Sequence, residues 1–247
     1  MNGYILVDKP KDWTSFDVVA KVRGLARARN RQLMESQAPE LQGRMPAQQL
    51  PKRVKVGHTG TLDPQATGLL VILIGTYTKR AAELTKLDKT YDVVMKLGET
   101  STTADEEGEK TRVSDSEPSQ EAIESALKAF TGDIMQTPPA YSAIKIDGVR
   151  AYKLAREGKE VKMEARPARI NALTLESYEY PYVQFTADVS SGTYIRSLVE
   201  DVGKKLGTGA YMSDLRRTRV GQFKLDDAKT IEELLTSQDI SSTLLTL

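Results

Sequence analysis

Six consecutive apolar residues, Leu69-Leu70-Val71-Ile72-Leu73-Ile74, form the longest uninterrupted apolar stretch in the chain. The run is strand-sized, far short of the roughly 20 residues that a membrane-spanning helix needs. A segment this short and apolar at every position reads as a buried strand, so the chain must build a sheet around it. With 247 residues and 39% hydrophobic content it can bury one large core, or a core domain with a small appendage. Met1-Asn2-Gly3-Tyr4 opens the chain with neither a basic patch nor a signal-type apolar segment, so a soluble, cytoplasmic protein is expected.

The elements around that strand interleave without regular βαβ repetition. Gly3 to Val7 reads as an opening strand, and Ser15 as the N-cap of a helix from Phe16, with Val19, Val22 and Ala26 at helical spacing. From Asn30 to Arg53 the character changes: five Gln and three Pro fall among 24 residues, which predicts a flexible insertion. Strands are expected at 54–56, 89–97 and 211–220, and across much of 134–146 and 161–189. Helices are expected at 76–84, at 151–156, and from Tyr194 to Leu206, with Ser119 capping another through Phe130. This pattern favours an α+β fold with a mixed β-sheet and flanking helices. Residues 1–229 read as one domain with the 30–53 insertion inside it, and 230–247 as a short tail.

Composition narrows the chemistry. Zero cysteines exclude disulfides, thiolate catalysis and cysteine-based zinc or iron–sulfur sites, and a single histidine removes histidine-cluster metal sites. Any metal would have to sit on carboxylates, and none is expected; nor is a cofactor. The net charge of +1 is unevenly placed. Residues 1–60 carry 11 Lys/Arg against 5 Asp/Glu, and residues 88–133 carry 5 against 12. Residues 145–170 carry 8 against 4, and 196–229 carry 8 against 5. Three basic segments could converge into a footprint for a polyanion, or could be separate solvated surfaces.

The loop Gly57-His58-Thr59-Gly60-Thr61-Leu62-Asp63-Pro64-Gln65-Ala66-Thr67-Gly68 is the most informative segment. It leads into the buried strand, a place where a scaffold can hold a reactive group. Pro64 restricts Asp63 towards extended conformations, which helps to aim its carboxylate. Asp63 could be a nucleophile, a general base or a metal ligand, or an acceptor for a Gly-rich turn. Arg196 is the second anomaly. It falls in the first turn of a helix, where the macrodipole disfavours a cation, so a carboxylate partner is expected. Tyr91 could stack on a base or fill the core. Asp105-Glu106-Glu107-Gly108-Glu109 lacks the ligand spacing of a calcium loop and reads as solvated.

Together these segments resemble the bacterial tRNA pseudouridine-55 synthase family, the TruB type. The resemblance runs from Gly3-Tyr4-Ile5-Leu6-Val7-Asp8-Lys9-Pro10 to about Phe223, outside the insertion. The Gly57–Gly68 loop is its most specific motif. Lys89-Thr90-Tyr91, Pro138-Pro139-Ala140-Tyr141-Ser142-Ala143-Ile144-Lys145, Gly192-Thr193-Tyr194-Ile195-Arg196 and Leu215-Arg216-Arg217-Thr218-Arg219-Val220-Gly221 support it in the same order.

The resemblance implies a mixed-sheet catalytic domain that isomerises one uridine in the T loop of tRNA, without cofactor or metal. It implies Asp63 as the catalytic aspartate, Arg196 as its partner, and Tyr91 stacked on the base. Tyr194 and Leu215 would line the uridine pocket, and His58 would contact the RNA loop. The expected partner is a tRNA T stem-loop, bound by a monomer. Three departures accompany it: the Asn30–Arg53 insertion resembles nothing in the family, no separate C-terminal RNA-binding domain is expected, and Val189-Ser190-Ser191-Gly192 replaces a Cys-Ser-Lys-Gly stretch common in relatives. A non-catalytic tRNA-binding module, or a synthase acting on another RNA, are the competing readings.

Overall fold

The apolar run is the body of a sheet strand, and the elements on either side of it explain why it can be apolar throughout. The structure is a computed structural model that describes residues 1–37, 54–142, 144–146, 148–159, 161–237 and 240–246. Strand β1 (Gly3–Lys9) and helix α1 (Ser15–Gln37) are followed by strands β2 (Val56–His58) and β3 (Thr67–Ile74) and a single helical turn, α2 (Ala81–Leu84). Strand β4 (Lys89–Leu97) leads to a hairpin of β5 (Glu99–Ser101) and β6 (Lys110–Arg112), then helix α3 (Gln120–Ala129) and strand β7 (Gly132–Gln136). A small hairpin of β8 (Lys145–Ile146) and β9 (Val149–Arg150) precedes helix α4 (Ala151–Arg156) and strands β10 (Arg166–Glu179) and β11 (Tyr182–Val189). Helix α5 (Ile195–Leu206), strands β12 (Ala210–Val220), β13 (Phe223–Lys224) and β14 (Lys229–Thr230), and helix α6 (Ile231–Thr236) complete the order.

The chain divides into two compact units, one of residues 1–87 with 217–247 and one of residues 88–216. In the first, β3 pairs antiparallel with β1 and with β2, while β14 runs parallel to β1, so the sheet is mixed as expected. Alternate side chains of β1 and β3 enter two cores. Ile5, Val7, Leu70, Ile72 and Ile74 meet Val18, Val22 and Ala26 of α1 and Leu234 of α6. Tyr4, Leu6, Leu69, Val71 and Leu73 meet Leu84, Val220 and Phe223 on the other face. Cover on both faces removes the usual alternation and leaves a continuous apolar strand.

In the second unit β4, β11, β10 and β7 form an antiparallel series. Here alternation is plain: Tyr91, Val93, Met95 and Leu97 of β4 point inward, as do Val183, Phe185, Ala187 and Val189 of β11. Helix α5 adds Ile195, Leu198, Val199 and Val202 to the buried set, and α3 adds Ile123 and Leu127. Among the described residues no helix is long and apolar enough to cross a membrane.

Two expectations need correction around α1. Thr14, not Ser15, caps the helix: its hydroxyl accepts from the amide of Asp17 at 3.0 Å, and the Asp17 carboxylate accepts from the Thr14 amide at 2.9 Å. This reciprocal arrangement satisfies two amides and frees the Ser15 hydroxyl for a tertiary role. The helix also continues through Asn30 to Gln37, so the first part of the expected insertion is helical. The remainder, 38–53, lies outside the described residues. The acidic stretch Asp105-Glu106-Glu107-Gly108-Glu109 joins the two strands of the β5–β6 hairpin.

Lys9, the last residue of β1, anchors the turn between that strand and α1. It is fully buried, and its ammonium donates to the carbonyls of Pro10 at 2.8 Å, Trp13 at 2.7 Å and Pro64 at 3.1 Å. Its three protons thus each meet an acceptor. Burial lowers its pKa from 10.5 to about 8, a shift opposed by the nearby carboxylates of Asp12 and Asp63. Between pH 8 and 10.5 the unfolded chain therefore holds a proton that the folded chain has released, and this group makes stability rise with pH across that window. Urea unfolding at several pH values should show the wild type gaining stability relative to Lys9→Met between pH 7.5 and pH 9.5 (roughly the onset and middle of that window). A stability difference that stays flat with pH would mean that Lys9 titrates as an exposed lysine.

Candidate active site

The loop that carries Asp63 is held through its backbone. The Ser15 hydroxyl receives the amide of Leu62 at 2.8 Å and donates to the Leu62 carbonyl at 3.1 Å, so one side chain fixes both polar groups of the residue before Asp63. On the other side, the Pro64 carbonyl accepts from Lys9 and from the Asp12 amide at 2.9 Å. The amide of Ala66 returns to the Asp63 carbonyl at 3.1 Å, which closes a turn. Asp63 itself is half-buried. Its two neighbours are tied down, so the turn that carries its carboxylate is fixed.

Arg217 closes the base of the same loop. Its side chain is 2% exposed, and it donates from Nε to the Leu69 carbonyl at 2.7 Å and from Nη2 to the Gly60 carbonyl at 3.2 Å. One planar guanidinium thereby joins both ends of the segment that contains Asp63. Gly68 completes the fit. It has φ +98°, and an added Cβ would collide with the backbone of Arg217, so the site demands glycine for conformation and for space.

His58 ends β2 beside this loop. Its Nδ1 accepts from the Gly60 amide at 3.2 Å, which requires the ring to be neutral with its proton on Nε2. Burial and the positive charge of Arg217 both lower its pKa below the usual value of 6.5. His58 is therefore a neutral donor and stacking face near pH 7, not a cation.

Tyr91, Tyr194, Arg196 and Leu215 belong to the second unit. Tyr91 stands on β4 opposite Ala187 and is 9% exposed; Leu215 on β12 is also buried. Tyr194 is the N-cap residue of α5. Its amide donates to Oε1 of Gln136 at 2.8 Å, and its carbonyl accepts from Nε2 of the same side chain at 3.0 Å. A buried glutamine amide thus fixes the backbone of the residue that starts the helix, which has no side-chain cap of its own.

Arg196 follows in the first turn, buried, with its carboxylate partner in Asp105 at 3.3 Å. Nη2 also donates to the Tyr141 carbonyl at 2.9 Å. Asp105 is held in turn by the Thr103 hydroxyl at 2.5 Å and the Glu107 amide at 3.1 Å. The 105–109 segment is solvated only in part: Glu106, Glu107 and Glu109 are exposed, but Asp105 is not. Its first residue is buried, and Gly108 packs so closely on Ser101 and Thr103 that no Cβ would fit. Among the described residues no cluster of three or more His, Asp or Glu could hold a metal.

Residue-level reasoning missed Asp105 and Gln136, and assigned no task to Lys9 or Arg217. Asp105 was hidden in an acidic run whose composition matches solvated surface. The available signal was the unexplained arginine at a helix start, which demanded a buried acid somewhere.

Solved structures share this fold. The chain superposes on one chain of the crystal structure of a Cbf5–Nop10–Gar1 complex with a TM-score of 0.66 and 28% identity, covering 94% of this chain and 53% of that one. A structure of an H/ACA RNP bound to a substrate RNA containing 2′-deoxyuridine gives a TM-score of 0.62 at 26% identity, with 94% and 52% covered. The chain therefore spans about half the length of the solved chains it matches. The fold is that of the pseudouridine synthases.

The family follows from sequence. Residues 48–195 match the TruB family pseudouridylate synthase N-terminal domain, and residues 196–244 match the tRNA pseudouridylate synthase B C-terminal domain. The tRNA pseudouridine synthase B of Streptomyces coelicolor is 42% identical over 243 residues, covering 94% of this chain and 72% of the relative. That of Pseudomonas syringae pv. syringae is 43% identical over 234 residues (95% and 68%), and that of Chlorobaculum tepidum 42% over 234 residues (94% and 89%). The chain belongs to the TruB family of pseudouridylate synthases.

The loop clamp has a direct test. In Arg217→Lys the charge remains, but one ammonium replaces a fork that spans two carbonyls. At least one buried carbonyl should then lose its partner, at a cost of about 1–3 kcal/mol in unfolding free energy. An unchanged urea midpoint would show that the two bonds contribute nothing to holding the loop.

Proposed function

We propose that this protein isomerises one uridine of tRNA, at position 55 in the T loop, to pseudouridine, with Asp63 as the catalytic aspartate. The observation that carries the reading is the rigidly held Asp63 turn in a chain of the TruB family. In the reaction the bond from C1′ to N1 breaks and a bond from C1′ to C5 forms. The C5 proton is lost and N1 gains one, so substrate and product have the same atoms and no oxidant or nucleotide is consumed. An ionised Asp63 can begin this by attack at C1′ or C6, or as a base at the sugar.

The target base is inaccessible inside a folded RNA loop and has to be extruded. We assign Tyr91 to stack on it and to assist proton transfer at its ring, with Tyr194 and Leu215 lining the same pocket. His58, neutral near pH 7, contacts the RNA loop. We assign Arg196 to aim the Asp63 carboxylate, with Asp105 as a positioning residue that acts through Arg196. The tRNA reading is favoured over an RNA selected by a partner complex because identity is 42–43% to the tRNA enzymes and 26–28% to the complex-borne chains.

Tritium release from 5-tritiated uridine in tRNA, measured in single turnover beside a binding constant, tests the assignments. Asp63→Asn should abolish turnover with binding nearly intact; activity within roughly tenfold of wild type, about 1.4 kcal/mol in barrier, would move the first step to another residue. Arg196→Lys retains charge without the fork and should slow the step on the order of a hundredfold, with binding little changed. Asp105→Asn should slow it in the same direction. Weaker binding with a normal saturated rate would make Arg196 a phosphate contact instead.

A further inference from the structure

Helix α1 carries a charge pattern that its own packing explains at Arg23, which donates to the Val56 carbonyl at 3.4 Å, but not at Arg27 and Arg31. From Val18 to Met34 it holds five Lys/Arg and no Asp/Glu. Val18, Val22 and Ala26 face the core, and the opposite side presents Phe16, Ala20, Arg23, Gly24, Arg27 and Arg31. Arg23, Arg27 and Arg31 recur at four-residue spacing, so like charges are stacked on one face. Such pairs destabilise an isolated helix by a few tenths of a kcal/mol each. Arg27 and Arg31 form no ion pair among the described residues, and both are exposed.

Three further details mark this face. Phe16 is 65% exposed at its start, and the Arg23 guanidinium lies 5.9 Å from the centre of that ring. Gly24 sits in mid-helix, where glycine costs about 1 kcal/mol relative to alanine, yet an added Cβ would meet nothing within 4 Å. Internal packing gives no reason for that glycine, whereas close approach by another molecule would. Finally, the face has a fixed origin. Ser15, in the first turn, bonds both polar groups of Leu62, the residue before Asp63. The basic stripe therefore starts at the Asp63 loop and runs away from it for about 22 Å at 1.5 Å per residue.

We propose that this face of α1 is a docking surface for the sugar-phosphate backbone of an RNA stem, the stem that continues from the loop being modified. The inference rests on the proposed RNA substrate and adds where its backbone is held. Guanidinium groups suit phosphate oxygens, the one acid beside the stripe, Asp17, is engaged by the Thr14 amide and hydroxyl at the helix start, and Ala20 and Gly24 let the backbone come close. Phe16, at the end nearest Asp63, offers a stacking face to an unpaired base.

The test uses the full chain, a T stem-loop hairpin with its complete stem, and the same loop closed by a shortened stem. Arg27→Gln/Arg31→Gln and Arg27→Glu/Arg31→Glu are compared with wild type for circular dichroism, binding over a salt series, and single-turnover rate at saturating RNA. Both variants should fold normally, because the two side chains are exposed. The glutamine pair should bind the full hairpin several-fold more weakly and lower the slope of log K against log salt by nearly two. Charge reversal should weaken binding more than tenfold, while the saturated rate is unchanged. The difference from wild type should shrink on the shortened stem. Equal binding and equal salt slopes on the full hairpin would overturn the proposal, and the face would then await an acidic protein. A wild type that binds the hairpin but forms no pseudouridine would contradict the proposed activity alone, since the binding comparison still decides the surface. Absence of hairpin binding by the wild type would contradict both.

Discussion

Two buried cations bonded to backbone carbonyls hold the part of the molecule on which the rest depends. Lys9 and Arg217 are 0% and 2% exposed, and between them they bind the carbonyls of Pro10, Trp13, Gly60, Pro64 and Leu69. A buried charge is tolerated only when its donors are met. Here the acceptors are peptide oxygens of the turn and loop that the cations hold, so cation and loop stabilise each other. The arrangement places positive charge near Asp63 without consuming its carboxylate in a structural bond to Lys9. Burial first, and then the charge of Arg217, lower the pKa of His58 and keep its ring neutral. Loop shape and the setting of the aspartate thus share one cause, which also adds to the effect of burial on the histidine.

The second unit holds its arginine by a different route. Arg196 begins a helix where a cation is disfavoured, and a buried carboxylate from the β5–β6 turn compensates it. Breaking such a pair by removing one partner strands a buried charge, which is far costlier than losing an exposed ion pair. The two-sided grip of Gln136 on the Tyr194 backbone then sets the angle at which that helix starts. In both units a side chain of fixed geometry, a guanidinium or an amide, is bonded to backbone, so the positions follow from chain geometry and not from flexible surface contacts.

Periodicity made the regular elements legible. Alternation over 89–97 predicts β4 with its observed bounds, the uninterrupted run 69–74 predicts the doubly covered β3, and helical spacing predicts a helix from Tyr194 to Leu206 where α5 starts one residue later. Local rules failed where a distant partner decides. Ser15 has the chemistry of an N-cap, but Leu62 claims its hydroxyl and Thr14 caps the helix. Asn30 looked like a boundary because Gln and Pro become frequent beyond it, yet glutamine is a good helix former and Pro39 is the first proline after that point. Asp105 was illegible because burial is a tertiary fact: nothing in an acidic run says which carboxylate an arginine 91 positions later will draw inward. Asp63 stood out because its loop joins a glycine-rich turn, a proline and the most apolar strand in the chain.

The most direct measurement is a transcriptome-wide map. Total RNA lacking pseudouridine would be incubated with the purified protein, and pseudouridine would be located by chemical labelling and sequencing. Modification is expected at a single T-loop uridine across tRNAs, and it should be abolished in Asp63→Asn. Modification confined to other RNAs would contradict the proposed substrate. No new pseudouridine with a folded, tRNA-binding protein would contradict the enzymatic role altogether and leave a binding module on this scaffold.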